Sequence, residues 1–242
     1  MNPKLGAFAL AAGSVRLYLR HFGTLFPLAF VPALALSLLT WALGFGDDPV
    51  AQASAGFLAN LIAFAANLVV GFVVTGVISL AALDVALGKR HSVGEYLTQT
   101  LRHLWPVVVL GALLSVATAL GVIVAVVPGL YIAARWLPWA QAVLFEDLGW
   151  GGLARAQGLT AGRRWPLVGA LVLMVVPVAA ILVGAGVVIS VAGASPAVIT
   201  LVEAVATAIY YGLVACFTAL TYLRLRALTE GLDDAAIAAS FD

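Results

Sequence analysis

Three histidines, His21, His91 and His103, are the side chains in this 242-residue sequence best suited to acid–base or metal chemistry. Each follows an arginine at the edge of an apolar run. None belongs to a His-Glu-x-x-His pairing, which would set two metal ligands and a general base on one helical face, so they read as interfacial polar residues. Gly193-Ala194-Ser195-Pro196-Ala197 approaches a Gly-x-Ser-x-Gly nucleophile elbow but lacks its last glycine and its strand-to-helix setting. Ser195 before Pro196 fits better as a helix N-cap ahead of a proline at the first helical position. Glu146 and Asp147 are adjacent carboxylates at the end of a run, able to face water or Arg155, and adjacency alone does not make a hydrolase. The single Cys216 lies deep in the last apolar run and excludes an intrachain disulfide framework. The expectation is a non-enzymatic chain with no catalytic residue, no metal site and no cofactor.

More is carried by polar residues inside the apolar runs. Asn60, Asn67, Gly71, Thr75 and Ser79 recur at helical spacing as one small, polar stripe, and Gly111, Ser115 and Ala119 make a second. Such stripes mediate close helix packing, and a polar conduit would use similar residues. Arg135 and Glu203 are the charges set deepest in apolar sequence, where a lipid-facing charge is costly, so both should turn inward and find partners. Each lies seven residues beyond a proline, Pro128 and Pro196, and the equal depth makes an intramembrane ion pair possible. A structural role and the binding of an ion or substrate both fit them. Asp84, a turn before Gly88-Lys89-Arg90, sits at a membrane boundary as a proton-relay candidate.

The elements that must position these residues follow from composition: 64% of the residues are hydrophobic and 10% charged, far from a soluble domain. The apolar runs cover about Thr24–Leu43, Phe57–Leu87, Trp105–Val127, Leu130–Phe145, Trp165–Val191 and Ala197–Leu223. Lys4, Arg16, Arg20, Lys89, Arg90, Arg102, Arg155, Arg163, Arg164, Arg224 and Arg226 all fall on alternate connections, while the connections between contain neither Lys nor Arg. Because cytoplasmic loops retain Lys and Arg, this alternation predicts an all-α integral membrane protein of six spans, both termini cytoplasmic and Asp47-Asp48 outside. A bacterial cytoplasmic (inner) membrane fits that orientation. No cleavage site for a signal peptide follows the first run, so that run should be retained as a span. The net charge of +1 offers no nucleic-acid role. Arg16, Arg20, Lys89, Arg90, Arg102, Arg163 and Arg164 form a basic rim that topology itself requires and that can touch anionic lipid. Trp41, Trp105, Trp150 and Trp165 sit near span ends as interfacial anchors, and Trp136 and Trp139 should pack against neighbouring spans.

Ahead of the first span, Leu5, Phe8, Ala12, Val15, Leu19 and Phe22 recur at spacings of three and four, the pattern of an amphipathic surface helix. Val93, Leu97, Leu101 and Leu104 repeat it, with Ser92 and Glu95 as a capping box, and Leu153 to Arg164 is a shorter, less regular third. Each ends in a similar corner, at Arg20-His21-Phe22, Arg102-His103-Leu104-Trp105-Pro106 and Arg163-Arg164-Trp165-Pro166. The expected organisation is one membrane domain of three same-orientation repeats, each an interfacial helix plus a helical hairpin, over about 1–91, 92–149 and 150–228, with a tail over 229–242.

Val127-Pro128-Gly129-Leu130-Tyr131-Ile132-Ala133-Ala134-Arg135-Trp136, then Phe145-Glu146-Asp147, then Leu159-Thr160-Ala161-Gly162-Arg163-Arg164-Trp165, together resemble the signature of the glycerophosphoryl diester phosphodiesterase membrane-domain family. Tyr222-Leu223-Arg224-Leu225-Arg226 and Glu230-Gly231-Leu232-Asp233 are similar too. In that family the membrane domain accompanies a soluble phosphodiesterase domain or stands alone, and this sequence has no room for the soluble domain. The resemblance implies no secure substrate, since a membrane domain need not share an attached enzyme's chemistry. The expected function is a polytopic membrane scaffold or accessory subunit that organises a membrane-protein partner, an oligomer or the local lipid. A small transporter or lipid-handling protein with a polar bundle interior is the alternative, and a membrane-embedded enzyme ranks third.

Overall fold

The computed structural model describes residues 6–40, 56–89 and 91–231. Within them the chain is helical, in the order α1 (Ala7–Arg20), α2 (Phe22–Thr40), α3 (Phe57–Leu87), α4 (Val93–Arg102), α5 (Leu104–Val124), α6 (Val126–Arg135), α7 (Trp139–Leu144), a 3-10 turn (Gly149–Gly151), α8 (Gly152–Leu159), α9 (Arg164–Val191) and α10 (Pro196–Glu230). Four stretches are long and apolar enough to cross a membrane: Asn67–Leu87, Leu104–Val124, Arg164–Ile189 and Ala197–Glu230. Ala7–Arg20 and Phe22–Ala35, bent by 85°, would make a fifth if they form one span. These helices are compatible with an integral membrane protein. Trp41, Asp47, Asp48 and Arg90 lie outside the described residues.

The expected fourth span, Leu130–Phe145, is not one helix. α6 stops at Arg135, residues 136–138 form a turn, and α7 runs only from Trp139 to Leu144. Pro138 is the physical cause: it has no N–H for the Ala134 carbonyl, and its ring disfavours a helical conformation at Leu137. The reversal expected at Pro128-Gly129 also moves. The chain folds back at Ala125, which is extended (φ −168°, ψ 153°), and Pro128 sits in the first turn of α6 where its missing N–H is not needed. A Cβ on Gly121 would stand 2.8 Å from the Gly129 Cα, and one on Gly129 would stand 2.3 Å from the Val122 Cγ2. The α5–α6 hairpin therefore closes backbone against backbone.

Helices form over the three segments read as surface helices, as α1, α4 and α8. α1 buries Leu10, Ala11, Ser14 and Tyr18 and packs on α9 and α10. The stripe recognised from its spacing points outward, with Phe8 77% and Leu19 65% exposed. α4 does the same: Tyr96 and Thr100 are buried, while Val93, Leu97 and Leu101 are exposed. Its capping box is complete, since Glu95 N–H donates to Ser92 Oγ (3.3 Å) and Ser92 N–H donates to Glu95 Oε2 (2.6 Å). The corners after α1 and α4 share a backbone conformation, φ −115° and ψ 26° at His21 and φ −107° and ψ 24° at His103. Ser195 takes the N-cap position of α10 with Pro196 next, although its side chain makes no cap bond.

Packing among the long helices closes a circuit. α2 lies on α3, α3 on α5, α5 on α6, α6 on α9, α9 on α10, and α10 on α2. α3, α7 and α10 also pack on one another, which brings them to the middle. The short helices take up corresponding places: α1 on α10, α4 on α3 and α8 on α7. Ile78 and Leu83 of α3, Leu144 of α7 and Phe217 and Tyr222 of α10 are at most 1% exposed, so the core is where these three helices meet.

Candidate functional site

The polar stripe of α3 reaches that core. Thr75 and Ser79, with Gln141 of α7 and Tyr211 and Thr218 of α10, line a cavity of about 80 Å³. Gln141 is 1% exposed, and its Nε2 donates to the Thr218 hydroxyl (2.9 Å), which donates on to the Ala215 carbonyl (3.1 Å). The Gln141 Oε1 is buried without a partner. Asn67 and Gly71, two turns and one turn nearer the start of α3 than Thr75, border a wider cleft of about 260 Å³ with Pro32, Ser37, Thr207 and Tyr211. Asn60 lies in the same register of α3, and its side chain falls outside the described ones. The second stripe is close packing at Gly111, where a Cβ would stand 2.4 Å from the Phe72 ring, and is outward-facing at Ser115 and Ala119. Gln141 was not singled out from sequence; its signal is an amide isolated within an apolar run.

At the end of the bundle where the arginines gather, two polar clusters tie the surface helices to the core. Asp84, 3% exposed, accepts from the Tyr96 hydroxyl (2.8 Å) and pairs with His91 Nδ1 (2.5 Å). With Lys89, Glu95 and Gln99 these groups line a cavity of about 260 Å³. The hydrogen bond from Asp84 raises the pKa of His91 above its ordinary value, and burial pushes the Tyr96 phenol up to about 12. The second cluster is cyclic. Tyr222 donates to Glu146 Oε1 (2.7 Å), Arg155 Nε to Glu146 Oε2 (2.7 Å), and Arg155 Nη2 to Glu230 Oε1. Arg226 closes it through Nε to Glu230 Oε2 (2.8 Å) and Nη1 to the Tyr222 oxygen (3.3 Å). Two carboxylates thus face two guanidiniums, a neutral clasp that ties Glu146, just past α7, and Arg155 of α8 to α10. Asp147 turns away, 58% exposed, to His103 Nε2 at 3.0 Å.

The basic rim proves heterogeneous. Arg16, Arg20 and Arg102 are exposed, Lys89 is half-buried, and Arg90 is outside the described residues. Arg163 donates to the Leu228 carbonyl and the Thr229 hydroxyl, both at 3.3 Å, fastening the start of α9 to the end of α10. Arg164 donates to the Tyr131 hydroxyl of α6 (3.1 Å). Trp105, Trp150 and Trp165 are 70%, 59% and 64% exposed at the starts of their elements, as anchors would be. Trp139 packs edge-on to Phe72.

Arg135 and Glu203 do not come together. The Arg135 carbonyl accepts from the Thr160 hydroxyl (2.6 Å), which fixes it beside the corner from which α9 departs. Glu203 is in the second turn of α10, next to the opposite end of α9. Twenty residues or so of the α9–α10 hairpin separate those levels, roughly 30 Å at the usual helical rise. The equal-depth expectation fails because the place of Arg135 is fixed by the bond from Thr160 to its carbonyl and not by its count from Pro128. Its guanidinium lies over the Trp136 ring, 4.8 Å from the centroid.

No family model, no curated protein and no solved structure matches this chain.

Proposed function

We propose that this chain is a non-enzymatic membrane scaffold or accessory subunit, built from three same-orientation repeats, that organises a membrane partner or the local lipid. The observation that carries the reading is the outward apolar face on two surface helices, Phe8, Val15 and Leu19 on α1 and Val93, Leu97 and Leu101 on α4. Both helices are held to the bundle by their other face and turn into a long helix through the same backbone corner. Helices so placed suit the headgroup plane of a bilayer, with their apolar faces in the acyl boundary. The repeat reading is supported by the packing circuit, in which each surface helix rests on the last helix of the preceding unit, α4 on α3, α8 on α7 and α1 on α10. On this reading α2, α5 and α9 run outward and α3, α6 with α7, and α10 run inward, giving six passes with both termini in the cytoplasm of a bacterial cell. The broken fourth pass is then α6 and α7 in series. The likeness to the glycerophosphoryl diester phosphodiesterase membrane domains agrees with a membrane unit that works beside another protein.

Affinity purification in mild detergent, with proteins and lipids identified in the eluate, tests the function. The expected outcome is one protein partner or one lipid class in a fixed ratio, lost when Phe8, Val15 and Leu19 are replaced together by serine. A chain that purifies alone under every mild condition, in native membranes and in excess lipid, refutes the scaffold. Orientation is tested by a cysteine introduced at position 47, which should be labelled only from outside; Cys216 is buried and does not compete. A transporter reading draws on one specific observation, the polar cavity around Gln141, and predicts solute flux in proteoliposomes that is lost in Gln141→Leu.

A further inference from the structure

Arg135 and Arg164 are drawn to one place by the tie between α6 and the α9 corner. Tyr131 and Arg135 are one turn apart on the same face of α6. Arg164 bonds the Tyr131 hydroxyl (3.1 Å) and its guanidinium carbon lies 5.7 Å from the centre of that ring. The Arg135 carbonyl is bonded to Thr160, four residues before Arg164, which brings the backbone of the two arginines to the same α6–α9 corner. Both arginines have a buried Nε with no hydrogen-bond partner. Among the described residues, the ion pairs at Arg155, Arg226, His91 and His103 do not reach Arg135 or Arg164. Trp136 and Trp165 flank the pair, the latter tilted against Tyr131 at 5.5 Å and 64% exposed.

Two half-buried cations without an anion are unfavourable in surroundings this apolar, and the rings beside them offset only part of that cost. The neighbouring arginines show the alternative: Arg155 and Arg226 each take a carboxylate from the chain itself. We propose that Arg135 and Arg164 form a binding site for a phosphate-bearing anion, the chemistry of a phospholipid headgroup, between α6 and the start of α9. Planar guanidiniums suit a phosphate because each presents parallel N–H donors to two of its oxygens. A lipid so held would set its headgroup beside the exposed Trp165 and its chains along α9, where Val172, Leu173 and Val176 face outward. The site rests on the membrane placement in the reading above and not on the partner, so partner capture and anion binding can fail separately.

The test is a titration of the purified chain in one detergent with phosphatidylglycerol, with an uncharged diacylglycerol of the same chains, and with inorganic phosphate, reading the unfolding temperature. The variants are Arg135→Gln with Arg164→Gln, and, as a control on exposed cations, Arg16→Gln with Arg20→Gln and Arg102→Gln. Phosphatidylglycerol should raise the midpoint of the wild type and the control alike, and diacylglycerol should not. In the Arg135/Arg164 variant the half-saturating concentration should rise at least about tenfold, the factor lost with one charge-assisted hydrogen bond. Equal stabilisation by inorganic phosphate would identify free phosphate as a ligand of the same site. Stabilisation by phosphatidylglycerol that survives unchanged in the Arg135/Arg164 variant overturns the proposal, as does a wild type that neither anion stabilises. If the double glutamine variant does not fold, Arg135→Gln and Arg164→Gln are titrated singly, and phosphatidylglycerol stabilisation unchanged in both overturns the proposal equally.

Discussion

Removing Arg155 from the clasp should expose a coupling that only a closed cycle of bonds can produce. Arg155→Met deletes two charge-assisted bonds, to Glu146 and to Glu230, in a setting where Arg155 is 29%, Glu146 12% and Glu230 22% exposed. Neither carboxylate is abandoned, because Glu146 keeps the Tyr222 hydroxyl and Glu230 keeps Arg226. Bonds to charged groups are worth about 1.5–3 kcal/mol each, and the retained donors and partial solvent access put the total cost near the lower end, about 2–3 kcal/mol. Arg226→Met alone should cost about 1–2 kcal/mol, since Glu230 then keeps Arg155. The double variant strips Glu230 of both guanidiniums. It should be less stable than the sum of the single losses by a further ~1–2 kcal/mol, and adding Glu230→Gln should recover most of that excess. Unfolding in mixed micelles, followed by tryptophan fluorescence, measures all four proteins. Additivity within about 0.5 kcal/mol would mean that the five side chains do not act as a closed unit and would refute the reasoning.

Three further outcomes follow from the same geometry. Since the Asp84 hydrogen bond raises the folded-state pKa of His91, its stabilising contribution is complete below the unfolded value of 6.5 and is lost as pH rises through the folded one. Thermal stability should therefore decline over that rise in the wild type, and His91→Gln should remove that part of the pH dependence; an identical profile in the variant would contradict the assignment. Gly129→Leu drives a side chain into the Val122 backbone and should destabilise by at least about 1–3 kcal/mol, read as a lower unfolding midpoint, whereas the same change at Gly184, where an added Cβ meets nothing within 4 Å, should be near neutral. Gln141→Leu gives up the bond to Thr218 but also removes the unpartnered Oε1, so its stability should stay within about 1 kcal/mol of wild type. A loss of several kcal/mol in that variant would mean that Oε1 is bonded in the folded protein.

Much of this arrangement is legible in the sequence, and the parts that are not share a cause. Local chemistry reads well: Ser92 and Glu95 cap α4 as their spacing requires, and the corners at His21 and His103 fall where an Arg-His pair meets an apolar run. Thr75 and Ser79 do turn to the centre, where they line the cavity beside Gln141. Facing is harder. On α1 the spacing of Phe8, Val15 and Leu19 marks an apolar stripe, but Leu10, Ala11 and Tyr18 make another, and periodicity cannot say which of two apolar faces meets protein and which meets lipid. Hydropathy also hides Pro138, since a proline scarcely lowers the mean of a run that it nevertheless divides.

The misplacement of Arg135 has the most consequence, because it changes what the residue can meet. Counting residues from Pro128 assumes that a proline marks the membrane face, yet a proline fits anywhere in a first turn, and α6 begins at Val126 after a one-residue break. The depth of Arg135 is then set by tertiary bonds, through Thr160 to its carbonyl and through Tyr131 to Arg164, that link residues up to 33 positions apart. Those bonds move a charge from a place where only an acidic side chain of the same bundle could answer it to the end where the exposed tryptophans sit. There the surroundings can supply an anion that the chain does not encode. An arginine paired with Glu203 when it is read along the sequence lies, in the fold, one turn from the tyrosine that Arg164 bonds, and that change of company is what makes an external phosphate the group proposed to complete it.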